Sequence, residues 1–295
     1  MSTETEGETV NLQADSAWGQ IIGTRDYQQD RAAIVNWPNG FSLYILADGM
    51  GGHVAGDEAS ELVVQTFRQH FVESDQTDIK QRFIDAVSAA NLAIYEKISA
   101  SPELDGMGST FLALVFDGSS AQWISIGDSP LWLFRQGELV RLNENHSMAS
   151  VLAKQVEEGI ITAEEAASSP ERSQLLEAVL GRDIKMVDAP EEAVPLKSGD
   201  ILILASDGVE TCSIDELQSL LAEASNNPEL QAEDLVTAIL EKVKAHNRPS
   251  QDNSTVNVVR ILDAQADIAT VQKKTDDSQT IKPLQTEQAD LENQE

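Results

Sequence analysis

Six short segments of this chain place an aspartate at or near the end of an apolar run or beside glycine and other small polar residues. They are Asp30 in GTRDYQQD, Asp48 in LYILADGMGG, Asp105 in DGMGST, Asp128 in SIGDS, Asp207 in LILASDG and Asp252 in QDNSTVNVV. In ILADG and ILASDG a buried strand runs into Asp-Gly, so a rigid sheet fixes the carboxylate while glycine frees the turn and exposes the backbone. Carboxylates that converge repel one another unless a cation lies among them. Hard oxygen ligands of this kind suit Mg²⁺ or Mn²⁺ rather than soft metals. Taken singly, each Asp-Gly is more simply a turn or a helix cap. Composition and spacing alone therefore reach a candidate metal site and no further.

The elements that must position these residues alternate in character. FSLYILA (41–47), STFLALVF (109–116), AQWISIG (121–127), ILILAS (201–206) and TVNVVRIL (255–262) read as strands, short and rich in β-branched or large apolar residues. LWLFRQGELVRL continues a meander, with Gln136-Gly137 as its tight turn. Apolar residues three and four apart mark helices over Gly56–Phe71 and Asp78–Ser99, and a second pair over 214–223 and 230–246. Two consecutive helices between strands, twice over, do not fit the βαβ alternation of a parallel sheet. They fit antiparallel sheets with helix pairs packed outside.

Composition narrows the partners. The formal net charge is −30 over 295 residues. Such a surface repels nucleic-acid phosphates and anionic lipid, so neither a nucleic acid nor a membrane is an expected partner. Divalent cations and basic partners fit it better, although the charge also serves solubility alone. The single cysteine, Cys212, excludes an internal disulfide, and the residues after it, SIDELQ, form no phosphate-cradling loop. The polar start lacks the features of a signal peptide, and no apolar run approaches the roughly 20 residues of a membrane span, so a cytoplasmic location is the expectation. Residues 1–12 carry no periodicity, and the Gln-rich acidic segment 264–295 reads as a flexible tail.

In order, Arg25…Asp30, Asp48-Gly49-Met50-Gly51-Gly52-His53, Gly106-Met107-Gly108-Ser109-Thr110, Gly127-Asp128-Ser129, Ser206-Asp207-Gly208 and Asp252-Asn253 resemble the protein phosphatase type 2C family, also called the PPM phosphatases. The resemblance spans about residues 15–263 and includes a flap-like stretch at about 143–185. It implies an α+β fold, a four-layer α-β-β-α sandwich of two antiparallel sheets flanked by helix pairs, over residues 13–263. It also implies hydrolysis of phosphoserine and phosphothreonine in proteins by a water bridging two divalent cations, Mn²⁺ or Mg²⁺, with a third ion bound more weakly. The expected setting is a phosphoprotein substrate, a cognate serine/threonine kinase system and a monomer.

Residue by residue, the resemblance makes Asp48 the bridge between the two cations, with the Gly49 carbonyl helping one of them. Asp207 and Asp252 complete the other ion's protein ligands, and Asp30 holds water from behind. Asp128, and after it Asp105, match positions that bind a third ion with Asp207. Arg25 matches a phosphate-binding arginine, whose planar fork gives two hydrogen bonds to a phosphate dianion; a surface salt bridge is the plainer reading. His53 could donate a proton to the departing seryl or threonyl oxygen or serve structure alone. Three residues depart from the family pattern: Gln29 for Glu, Pro130 for Arg and Asn145 for Asp. Two other readings stay open, a catalytically silent module on the same fold and a metal-dependent nuclease, the latter disfavoured by the charge.

Overall fold

The computed structural model describes residues 12–264 except 226 and 228, and leaves the side chains of His53 and Val54 undescribed. The expected loose start and acidic tail therefore lie outside the described residues, apart from Leu12 and Ala264. Leu12 itself departs from expectation: it is buried, and it opens a strand paired with Asp263.

Two antiparallel sheets stack face to face. The first is ordered β1 (Leu12–Ile21), β11 (Ser254–Asp263), β10 (Ile201–Ala205), β7 (Leu131–Arg135) and β8 (Glu138–Arg141). The second is ordered β2 (Asp30–Asn36), β3 (Ser42–Met50), β5 (Phe111–Phe116), β6 (Ser120–Ile126) and β9 (Val194–Pro195), with β4 (Gly108–Ser109) pairing off β3. Helices α1 (His53–Glu73) and α2 (Ile79–Ala100) cover the second sheet, and α5 (Ile214–Ser225) and α6 (Ala232–Ala245) cover the first. Between β8 and β9, the segment expected as a flap carries α3 (Met148–Glu157) and α4 (Ala163–Ser168). The four-layer α-β-β-α sandwich is the fold.

The period-two rule of strands builds this stack. On β3, Leu43, Ile45 and Ala47 face α1 and α2, while Tyr44 packs between the sheets. On β10, Ile203 and Ala205 face α5 and α6, while Leu202 and Leu204 pack between the sheets. Strands buried on both faces read as continuous apolar runs, which is why these segments stood out in the sequence. At the tight turn, Gln136 and Gly137 take φ of 53° and 89°, the left-handed pair that a two-residue hairpin requires.

The helix-side core of the second sheet centres on Phe67, whose ring lies 4.5 Å from that of Phe111 and 5.7 Å from that of Phe71. Phe67 is fully buried. Truncating such a ring leaves a cavity that close-packed neighbours cannot fill. Phe67→Ala should lower the unfolding free energy by about 3–5 kcal/mol in denaturant titration, with Phe67→Leu costing clearly less.

Candidate active site

The site is assembled where loops from both sheets meet. Antiparallel pairing of β2 with β3 sets Asp30 directly opposite Asp48. Asp48 lies two residues inside β3 rather than at its end, because β3 continues to Met50 by pairing with β4. Its amide donates to Thr110 Oγ1 at 3.0 Å, and its carbonyl accepts from the Thr110 amide and the Ser109 hydroxyl, both at 2.9 Å. The backbone at Asp48 thus has no slack. Gly49 is required by packing: a Cβ there would meet the Gly56 carbonyl oxygen at 1.9 Å.

From the first sheet, β10 delivers Ser206 and Asp207, the latter opening a 3-10 turn over Asp207–Thr211. The Ser206 hydroxyl donates to Asp30 Oδ2 at 2.7 Å and accepts from the Thr255 amide at 2.9 Å, so one side chain joins the two sheets. The Asp207 turn presses on the loop before β11, since a Cβ on Gly208 would lie 1.9 Å from the Asn253 carbonyl oxygen. In that loop Asp252 bonds Arg25 Nη2 at 2.5 Å. Next to it, the Asn253 amide accepts from the Gln29 N–H at 2.8 Å and donates to the Ile22 and Tyr27 carbonyls at 2.8 and 3.1 Å. Asn253 therefore clamps the Arg25 loop against the Asp252 loop.

Asp128 follows β6 and is buried. Arg141 Nη2 donates to its carbonyl at 2.7 Å, and Arg141 Nη1 lies 3.5 Å from Glu210 Oε1. Arg141, from β8, thus sets a guanidinium beside Asp128 and Glu210. Asp105 is exposed and caps the 3-10 turn Pro102–Leu104; it is not among the charges acting most strongly on Asp48 or Asp207. The structure thus draws together Asp30, Asp48, Asp128, Asp207, Asp252 and Arg25, but not Asp105. His53 opens α1, and its side chain lies outside those described. His146 is buried at the start of the flap segment, its Nδ1 accepting from the Gly127 amide at 3.3 Å.

Burial dominates the electrostatics. It pushes Asp48 well above the usual carboxylate range, with Asp30, Asp207, Asp252 and Asp128 adding repulsion. Burial likewise lifts Asp207 to about 8, with Asp128 and Asp252 adding to it. Asp30 rises to about 6 through burial, opposed in part by the Thr255 and Ser206 hydroxyls, and Asp128 rises to about 6 through burial and Glu210. Asp30 Oδ1 and Asp207 Oδ1 are buried with no hydrogen-bond partner. Carboxylates this dry, with oxygen atoms left over, have the donor set of a hard divalent cation site.

Beside them opens a cleft of about 350 Å³ whose lining includes Asp128, Asp207, Asp252, Asn145, Arg172 and Arg248. Ser206, Asn253, Arg141 and Glu210 went unassigned from sequence. Ser206 and Asn253 could have been found as neighbours of Asp207 and Asp252; nothing in the sequence marks Arg141 or Glu210.

An antiparallel sandwich with helix pairs outside thus carries a carboxylate-lined cleft. A family model described as protein phosphatase 2C matches residues 22–220. The chain is 35% identical over 224 residues to the serine/threonine protein phosphatase PstP of Mycobacterium tuberculosis, covering 76% of this chain and 41% of that one. It thus spans less than half the length of that relative. The crystal structure of the Mycobacterium tuberculosis phosphatase superposes with a TM-score of 0.70 at 30% identity, covering 85% of this chain and 99% of that one. The PstP catalytic domain in complex with two manganese ions gives a TM-score of 0.69 at 28% identity, covering 85% and 100%. The chain belongs to the protein phosphatase 2C family.

A carboxylate raised in the folded state holds its proton there at pH values where the unfolded chain has lost it, since a free aspartate titrates near about 3.9. Stability therefore falls as pH rises from about 4 through about 8. In EDTA, thermal unfolding should show this decline, and saturating Mn²⁺ should flatten it. The Asp207→Asn protein in EDTA should have a shallower slope and exceed wild type at pH 8 by about 1 kcal/mol or more.

Proposed function

We propose that this chain hydrolyses phosphoserine and phosphothreonine in proteins with the help of two divalent cations, Mn²⁺ or Mg²⁺. The observation that carries the reading is the gathering of Asp30, Asp48 and Asp207, where burial disfavours their charges, with Asp252 brought beside them from a fourth segment. Asp48 and the Gly49 carbonyl, with Asp207 and Asp252, would hold the pair; Asp128 with Asp207 would hold a third. Bound cations supply charge neutralisation for a phosphate dianion and lower the pKa of nearby water.

The chain's own residues do the rest. Asp30, fixed by Ser206 and set across from Asp48, is placed to orient water by accepting its hydrogen bonds. Arg25 uses one N–H on Asp252 and keeps others of its fork for phosphoryl oxygens. Its side chain is 53% exposed, so it reaches a substrate arriving from solvent. Arg172 and Arg248 line the cleft and give an otherwise acidic molecule local cations for an anionic substrate. His53, next to the Gly51-Gly52 turn, remains the candidate proton donor to the leaving oxygen. A phosphoprotein substrate, a paired kinase and a cytoplasmic setting complete the reading; no helix among the described residues is long and apolar enough to cross a membrane.

EDTA should abolish hydrolysis of a phosphothreonine peptide, and Mn²⁺ or Mg²⁺ should restore it. Asp48→Asn and Asp207→Asn should each lower kcat/KM by at least about 10²–10³-fold. Wild-type turnover in either variant sinks the metal assignment. Hydrolysis of single-stranded DNA in preference to the peptide would favour a nuclease instead.

A further inference from the structure

Away from the aspartate cleft, three unlike metal-binding groups converge where three elements meet. Cys212 ends the 3-10 turn Asp207–Thr211, Glu216 lies in the first turn of α5, and His246 caps the C-terminus of α6. The Cys212 sulfur, a Glu216 carboxylate oxygen and a His246 ring nitrogen all lie within 4.8 Å of one another. Among the described residues no other set of three such side chains closes to that span.

The spacing and the donor types agree. His246 Nε2 lies 3.1 Å from Glu216 Oε2. Two ligands with bonds of about 2.0–2.1 Å to one tetrahedral zinc are about 3.3 Å apart. Cys212 is only 3% exposed, while Glu216 is half-buried and His246 exposed, so a cation entering from solvent would meet imidazole and carboxylate first and the thiol last. The carboxylate is already ionised and aimed. The Ser213 amide, which donates to Oε2 at 3.0 Å, chiefly holds its pKa down to about 2, and Lys242 Nζ stands 3.3 Å from Oε1. Lys242 thus takes the oxygen turned from the histidine, while Oε2 faces His246 and also accepts from the Ser213 amide and, at 3.3 Å, its hydroxyl.

We propose that Cys212, Glu216 and His246 form a binding site for one thiophilic divalent cation of the Zn²⁺ class, with a fourth position open to water. A sulfur, nitrogen and oxygen set favours such an ion over Mg²⁺, which the all-oxygen aspartate cleft suits. Binding exchanges the Cys212 S–H bond for a sulfur–metal bond and releases that proton to solvent. His246 Nε2, whose N–H faces the ionised Glu216 oxygen, ligates the ion once the neutral ring carries its proton on Nδ1 instead. Cys212 adjoins Thr211, whose hydroxyl bonds Gln251 Oε1 at 2.8 Å and whose carbonyl accepts from Arg248 Nη2 at 3.1 Å. All three of those residues line the cleft, so an ion here ties α5 and α6 to its wall. The site does not depend on the phosphatase reading, because it shares no ligand with the aspartate cluster.

The test uses the full chain saturated with Mg²⁺ and titrated with Co²⁺ as the visible substitute for Zn²⁺. One equivalent should give a thiolate-to-cobalt charge-transfer band that Zn²⁺ displaces. The band should persist in an Asp48→Asn, Asp207→Asn double variant and vanish in Cys212→Ser. His246→Ala, an exposed change that leaves the fold intact by circular dichroism, should weaken Co²⁺ affinity by at least about ten-fold. No sulfur band in wild type overturns the proposal. So does a band whose affinity is unchanged in both His246→Ala and Glu216→Ala, which marks an isolated thiol.

Discussion

Everything at the cleft follows from bringing several carboxylates together where burial disfavours their charge. A lone buried carboxylate relieves its charge by taking a proton, but Asp30, Asp48, Asp128 and Asp207 each have a neighbouring carboxylate that raises them further, so protons alone leave the cluster poorly satisfied. The surrounding backbone shows how firmly the arrangement is held. Asp48 is pinned by Thr110 and Ser109, Gly49 and Gly208 allow contacts that no side chain would permit, and Ser206 reaches from one sheet to Asp30 on the other. A fold that spends stability on holding like charges together has an opposite charge to accommodate. Divalent cations answer that requirement, and the stability cost is the mark of a site built for a ligand.

Much of the fold was legible because its central strands are buried on both faces. Leu43 to Ala47 and Ile201 to Ala205 carry no charged residue to blur the reading. The edge strands were harder. β1, LQADSAWGQI, is largely half-exposed and mixes charge with small residues, and β2, DRAAIVN, is mostly half-exposed and begins with two charged residues; both derive their order from pairing with β11 and β3. No local pattern announces a strand whose stability is borrowed from its neighbour. The helix α1 begins at His53, three residues before its apolar period is evident, because Gly51 and Gly52 turn the chain with φ of 121° and 82° directly into it.

The site was legible in a different way. The acids could be picked out because each lies at or near an apolar run, a local property. What fixes them could not be, because Ser206 meets Asp30 and Asn253 meets Gln29 across more than 170 residues of chain. Asp105 and Asp128 illustrate the limit. Both stand beside glycine, yet Asp128 follows a buried strand that carries it into the cleft, whereas Asp105 caps an exposed turn. A motif supplies the residue type; the preceding element decides where it points.

The pairing of Arg25 with Asp252 links the acidic cluster to its surroundings. A half-exposed guanidinium–carboxylate pair contributes little to stability, since water competes for both partners. Its effect is on position. Arg25 also feels Asp48 and Asp207, so the same field that would draw cations into the cleft holds the guanidinium at its edge. In a molecule of net charge −30, an anion approaching from solvent meets repulsion over most of the surface. Arg172 and Arg248 in the cleft lining, with Arg25 paired to the lining residue Asp252, concentrate opposite charge at one opening. The acidic surface and the basic rim therefore act together, the first turning anions away elsewhere and the second admitting them beside the carboxylates.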